Sequence, residues 1–428
     1  MIYDFDKPVD RRGSGDFKHE VLQERYGRSD LLPLWVADMD WETPQFITDA
    51  LRERLEHSLF GYTKDPKEYW PTVQRWIEEH HQWKVEREWL TYIPGIVKGI
   101  GLVINFFLKD DEKVIVQPPI YHPFFLTPRG NRREVVWNPL KETLSPTLPH
   151  NGEGDHAGCS QTTNKPDGSP HNGGDVRRTE RVFYEMDFDQ LEQVCDDKCR
   201  LLILSNPHNP AGIVWDRATL QRLAHFAKEH HLIVISDEIH CDMALWDNKH
   251  IPFASVSDEA AEVSITFGAP TKTFNMAGIV SSWGIIPNEE LRVPFYQWLD
   301  ANELSETHLF APIATIAALQ HGEEWRQQML RYVEGNIDFL IDYCQKYIPK
   351  IKPLRPQASF LVWLDCRGLG LSHRQLIDLF VNQAHLALND GEMFGPGGEG
   401  FMRLNVGTQR SVLKAALERL KAALKYNT

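Results

Sequence analysis

The chain has 428 residues, 42% hydrophobic and 25% charged, with a formal net charge of −14 at pH 7. Such an acid excess excludes a surface built to hold the phosphate backbone of nucleic acid, which Lys and Arg must neutralise. No apolar run is long enough to span a bilayer, and Met1-Ile2-Tyr3-Asp4-Phe5-Asp6 lacks the basic-then-apolar pattern of a secretory leader. In chain order, the first local signal is the pair His80-His81, which, like His230-His231, lies in a charged stretch and reads as a solvated helix face. Next comes Gly95-Ile96-Val97-Lys98-Gly99, ahead of an apolar run that reads as a helix. A glycine turn at a helix N-terminus leaves backbone N–H groups without intrahelical partners, ready for a phosphate. A strand is expected over 113–117, followed by Pro118-Pro119-Ile120-Tyr121-His122-Pro123-Phe124, where Tyr121 can stack on a planar ring.

After a strand at Glu134–Trp137 the pattern breaks. Residues 143–180 are rich in Gly, Ser, Thr, Asn, Pro and His and carry no period of 2 or 3.6. Too little apolar area is present to offset the entropy of ordering them, so they read as a disordered surface insertion. Order resumes at Val182-Phe183-Tyr184. Strands are expected over 201–205, 232–236 and 264–267, with a helix over 217–230 that places Leu220, Leu223, Ala224 and Ala227 on one face. Alternating strand and helix predicts a mostly parallel sheet with ligands at the carboxyl ends of its strands. The C-terminal part differs, with helices over 323–348, 373–383 and 411–425 and a strand over 359–364. The expected division is a large domain over 51–290, and a smaller one made of 1–50 with 291–428.

Three segments after strands carry chemistry. Asn206-Pro207-His208-Asn209-Pro210-Ala211-Gly212 supplies an amide that can hydrogen-bond a phenolic oxygen. Ser236-Asp237-Glu238-Ile239-His240 supplies a carboxylate that can hold a protonated pyridine nitrogen. Gly268-Ala269-Pro270-Thr271-Lys272-Thr273-Phe274-Asn275 supplies an amine that forms a Schiff base with an aldehyde, beside a hydroxyl, Thr271, suited to phosphate. Together they are three handles on one cofactor, pyridoxal phosphate. Arg403, in a strand-like stretch next to the glycine-rich loop 391–400, can fork onto a carboxylate. Six cysteines (Cys159, Cys195, Cys199, Cys241, Cys344, Cys366) are scattered through the chain. That usage fits reduced thiols in a cytoplasm, and Cys195 with Cys199 lacks the second pair a zinc site needs, so no metal is expected.

These segments resemble the class I/II aminotransferase superfamily of fold type I pyridoxal phosphate enzymes. More narrowly, with Leu34-Trp35-Val36-Ala37-Asp38-Met39-Asp40-Trp41 and with His240 where transaminases carry a tyrosine, they are similar to the MalY/PatB group of cystathionine β-lyase-like carbon–sulfur lyases. The resemblance covers all but the insertion. It implies an α/β large domain built on a mostly parallel seven-stranded sheet, with a smaller α/β C-terminal domain. By matching position it implies Lys272 as the Schiff-base lysine, Asp237 as partner of the ring nitrogen, Asn209 as ligand of the phenolic oxygen and His240 as a further cofactor-binding residue. It implies Tyr121 stacked on the ring, Ile96, Val97 and Thr271 around the phosphate, and Arg403 with Ala37 at the substrate. Tyr62 matches a tyrosine that reaches the phosphate in the neighbouring subunit, which implies a homodimer with shared sites. Two positions depart from the wider pattern: Ala269 stands where a serine is common, and Val280 where many aminotransferases place a phosphate-binding arginine. The implied reaction is β-elimination from cystathionine or another cysteine S-conjugate, giving a thiol, pyruvate and ammonia. An aminotransferase is the alternative enzyme, and a non-catalytic pyridoxal phosphate-binding regulator the alternative of another class.

Overall fold

In the computed structural model, residues 2–146 and 180–425 are described. Seven strands form the larger sheet: β1 (Leu90–Ile93), β2 (Lys113–Val116), β3 (Glu134–Trp137), β4 (Cys199–Ser205), β5 (Ile233–Asp237), β6 (Ser264–Gly268) and β7 (Ser282–Ile285). Their order is β1-β7-β6-β5-β4-β2-β3. From β3 to β6 all neighbours are parallel, whereas β7 runs antiparallel to both β6 and β1. The central strands are apolar without alternation because both faces are covered: Val114 to Val116, Leu201 to Leu204 and Val234 to Ile235 are all essentially inaccessible. A second sheet, antiparallel throughout, consists of β8 (Lys352–Pro353), β9 (Leu361–Asp365), β10 (Asn389–Asp390) and β11 (Phe401–Asn405), in the order β8-β9-β11-β10. This is the fold type I α/β architecture that the resemblance implied.

Register brings the chemistry together. Ser205 pairs with Asp237 and Asp237 with Phe267, so the carboxyl ends of β4, β5 and β6 lie side by side. Facing them is the N-terminus of helix α1 (Ile96–Phe107). It buries Ile96, Ile100, Val103 and Ile104 at helical spacing against the sheet. At Gly99 a Cβ would lie 2.7 Å from Ile93 and 3.0 Å from Phe267, so only glycine lets the first turn pack this close. Gly95, the N-cap, has φ +101°, a conformation that side chains rarely adopt.

Several expectations shift. Asp237 is the last residue of β5 rather than a loop residue beyond it. β1 and β7 carry no periodic signal and were not legible in the sequence. The ends of the expected insertion pair as a hairpin, Lys141–Pro146 against Glu180–Glu185, because ladder hydrogen bonds need no apolar side chains; residues 147–179 lie outside the described residues. A helix over Gln45–Glu56 runs through position 50. The helix Tyr69–His81 does not expose its histidines as expected: the His81 side chain is 7% exposed and hydrogen-bonded to the buried Asp242 at 2.8 Å, and His80 bonds Glu323 at 2.9 Å. Burial lowers the pKa of His81, while the same contact holds the Asp242 carboxyl below its usual range despite burial. Among the described residues no helix is long and apolar enough to cross a membrane.

Candidate active site

A cavity of about 310 Å³ opens at the carboxyl ends of β4 to β6 and the N-terminus of α1. Its lining includes nine of the singled-out residues: Ala37, Ile96, Val97, Tyr121, Asn209, Asp237, His240, Thr271 and Lys272. Lys272 follows the end of β6 on a tight turn held by the Phe274 N–H to Pro270 and the Met276 N–H to Thr271. Its Nζ donates to the Ala37 carbonyl at 2.6 Å. Burial lowers its pKa from 10.5 to about 8, with Asp38 opposing that fall. Opposite it, burial raises Asp237 to about 7, although the Ile239 N–H donates to its Oδ1 at 3.0 Å. A carboxyl buried this way regains its charge only beside a cation, the role a protonated ring nitrogen fills.

Arg403 on β11 is buried and reaches the site through Asn209. It donates from Nη1 to Asn209 Oδ1 at 2.9 Å, and from Nη2 to Asn389 Oδ1 at 2.6 Å and the Trp35 carbonyl at 3.1 Å. Because Oδ1 of Asn209 is taken, its Nδ2 donors remain for the cavity, the polarity a phenolic oxygen requires. Loop and loop are tied by the Tyr121 N–H, which donates to the Asn209 carbonyl at 3.1 Å. Burial raises the pKa of Tyr121, so its hydroxyl stays protonated. Burial also drives His240 down to about 3, and its Nδ1 is a buried atom without a partner. At the helix end there is no acidic residue in the first turn, and Lys98 joins Ile96 and Val97 in the lining. A buried imidazole nitrogen without a partner among the described residues, a carboxyl in need of a cation, an amine of lowered pKa and the N–H donors of a helix first turn are together the donor set that pyridoxal phosphate fits.

Val280, the position that departs from the wider pattern, also lines this end, in the left-handed conformation (φ 50°) that is unfavourable for a β-branched residue. Its carbonyl accepts from Tyr92 Oη at 2.9 Å, which holds the turn in place. Tyr62 is not in the cavity; it is fully exposed on the segment after Gln45–Glu56.

Sequence reasoning missed the residues that fasten 35–41 over Lys272. Asn405 Nδ2 donates at 2.6 Å to both the Val36 and Asp38 carbonyls, bracketing Ala37. Asn275 accepts from the Met39 N–H and donates to the Met39 and Trp41 carbonyls. Behind the strap, Arg11 bonds Asp38 and Asp40, and the inaccessible Lys18 bonds Asp40 at 2.7 Å. Ser282 was also missed; it accepts from the Gly95 N–H at 3.0 Å and fixes the turn into α1.

A sequence profile for the family "Aminotransferase class I and II" matches residues 168–420, more than half of the chain. Cystathionine beta-lyase PatB of Bacillus subtilis is 38% identical over 98% of this chain and 99% of its own length. Cystalysin from Treponema denticola, whose crystal structure contains pyridoxal 5'-phosphate, superposes with a TM-score of 0.87 at 28% identity, covering 100% of both chains. The pyridoxal phosphate-bound C-S lyase from Staphylococcus hominis superposes with a TM-score of 0.82 at 30% identity, covering 99% of this chain and 98% of that one.

Proposed function

Because the chain belongs to the class I and II aminotransferase family of pyridoxal phosphate enzymes, we propose that it is a carbon–sulfur β-lyase acting on cystathionine or other cysteine S-conjugates. The observation that carries this reading is the cavity itself. It sets the Lys272 amine, with a pKa of about 8, among Asp237, Asn209 and Tyr121, in a chain akin to cystathionine β-lyases along its whole length. Bound there, pyridoxal phosphate supplies an electron sink that makes the substrate Cα proton acidic.

The residues divide the remaining work. Asp237 would hold the ring nitrogen and Asn209 the phenolic oxygen, with His240 as a further cofactor contact, and Tyr121 would stack on the ring. Ile96, Val97 and Thr271 would hold the phosphate. Arg403, with Ala37, binds the substrate α-carboxylate and so fixes which Cα bond faces Lys272. Lys272, neutral above about pH 8, takes the Cα proton as general base. The Cβ–sulfur bond then breaks, and the thiolate receives a proton from Lys272 or from Tyr121, whose raised pKa keeps it a donor. Hydrolysis of the remaining three-carbon fragment gives pyruvate and ammonia.

A homodimer belongs to this reading. Leu55, Leu59, Phe60 and Tyr62 are exposed together, an apolar surface that a partner covers, with Tyr62 reaching the phosphate of the neighbouring site. Residues 51–290 act as the cofactor-binding unit and 1–50 with 291–428 as the unit closing it. A cytoplasmic site of action is supported by five unpaired thiols among the described residues. The test is Lys272→Ala: the variant should release no measurable pyruvate from L-cystathionine while remaining folded by circular dichroism. Wild-type release by that variant refutes the mechanism.

A further inference from the structure

Arg403 is linked through Trp35 to a second cation, Arg25. Arg25 lies over the indole of Trp35, 4.6 Å from its centroid, while the carbonyl of the same Trp35 accepts from Arg403. A second path joins the two arginines. Arg25 Nη2 lies 4.0 Å from Met393 Sδ, Asn389 Nδ2 lies 3.3 Å from that sulfur, and Asn389 Oδ1 accepts from Arg403. Both arginines act on His122, next in chain to the cavity residue Tyr121. Burial lowers its pKa to about 4, and both Arg403 and Arg25 add to that fall. His122 is therefore neutral and lies in the field of two fixed cations.

Arg403 is buried and its Nη atoms are committed to Asn209, Asn389 and Trp35. Arg25 is exposed, and among the described residues no carboxylate lies within ion-pair distance of it. In a chain with net charge −14, acids are plentiful, yet this arginine is held by the rings of Trp35 and Tyr26 and by a thioether instead. Stacking fixes the plane of the guanidinium and leaves those N–H donors not turned to Met393 or Tyr26 open to solvent. In the lyase reading the α-carboxylate goes to Arg403, and a simple S-alkyl cysteine carries no other. A cysteine S-conjugate whose thiol half bears a second carboxylate carries that group away from the first along a flexible thioether chain, so a second cation outside the α-carboxylate site can take it.

We propose that Arg25 is a substrate-binding residue that receives the distal carboxylate of dicarboxylic cysteine S-conjugates, and so sets a preference for them over S-alkyl cysteines. The assignment rests on the lyase reading above and names the substrate class within it.

The experiment compares kcat/KM for L-cystathionine and for S-methyl-L-cysteine in the holoenzyme, in the wild type, Arg25→Met and Arg25→Lys. Loss of one exposed charge-assisted contact lowers the ratio of the two constants by about tenfold in Arg25→Met, through KM. Arg25→Lys, which keeps the charge and the stem, retains most of the ratio. A ratio unmoved by Arg25→Met overturns the assignment alone, as does an equal loss on both substrates, which marks a structural role. A wild type that cleaves neither compound overturns the lyase reading and the assignment with it.

Discussion

The proton on Lys272 sets how fast this site bonds its cofactor covalently, so pH is the sharpest perturbation. Burial lowers the amine from 10.5 to about 8. The neutral form is the nucleophile, and a lowered pKa enlarges its share at every pH below 8. Relative to an ordinary exposed lysine, the neutral fraction near pH 7 is greater by roughly 300-fold. The rate at which cofactor-free protein takes up pyridoxal phosphate, followed by visible absorbance, should therefore rise about tenfold per pH unit up to a midpoint near 8 and level off above it. Neighbouring charges give the sign of two further shifts. Asp38 raises the pKa of Lys272 and Arg403 lowers it. Asp38→Asn should move the midpoint below 8 and Arg403→Met should move it above. A midpoint near 10.5, or shifts of the opposite sign in the two variants, would refute the placement of Lys272 in a buried, mixed-charge cavity.

Asp237→Ala removes the partner of the ring nitrogen and should lower turnover by on the order of a hundredfold or more at saturating cofactor; near-normal steady-state turnover would contradict that role. Asn405→Ala leaves two strap carbonyls, of Val36 and Asp38, without their donor, at a cost of about 2 kcal/mol readable in urea unfolding. An unchanged midpoint and slope would show that the strap is held by other contacts. Asp242→Ala strips a buried acceptor from His81 and from Trp76 Nε1 and should cost about 3 kcal/mol, a clear fall in Tm. The pKa of Asp242 is held below 3.8 in the folded protein. Its contribution is therefore complete above pH 3.8 and is lost as the pH falls beneath it, so the Tm gap between wild type and variant should narrow in acid. A gap that widens in acid would reverse the assignment of charge at that pair.

What could be read from the chain alone was local. Asn209, Asp237 and Lys272 each sit within a few residues of a strand end, so an apolar run followed by a polar residue of the right chemistry marks them. Strands such as β4 and β5 were legible because burial on both faces leaves unbroken apolar runs. β1 and β7 were not, since four residues with a glycine or a threonine among them carry no period. The strap over Lys272 was invisible for a different reason. Asn275 grips Met39 across 236 positions and Asn405 grips Val36 across 369, and nothing near either asparagine announces the distant partner. His81 failed in the same way: it looked solvated among its charged neighbours because its partner Asp242 lies 161 positions on. Tyr62 was singled out by resemblance alone, and in the structure it stands exposed and outside the cavity.

The central claim is that this cavity breaks a carbon–sulfur bond rather than moving an amino group. The direct measurement incubates the purified holoenzyme with L-cystathionine and quantifies free thiol, pyruvate and ammonia together. The account predicts that the three appear in equimolar amounts, without any added amino-group acceptor. A 2-oxo acid that still carries the thioether, formed without release of thiol, would contradict it.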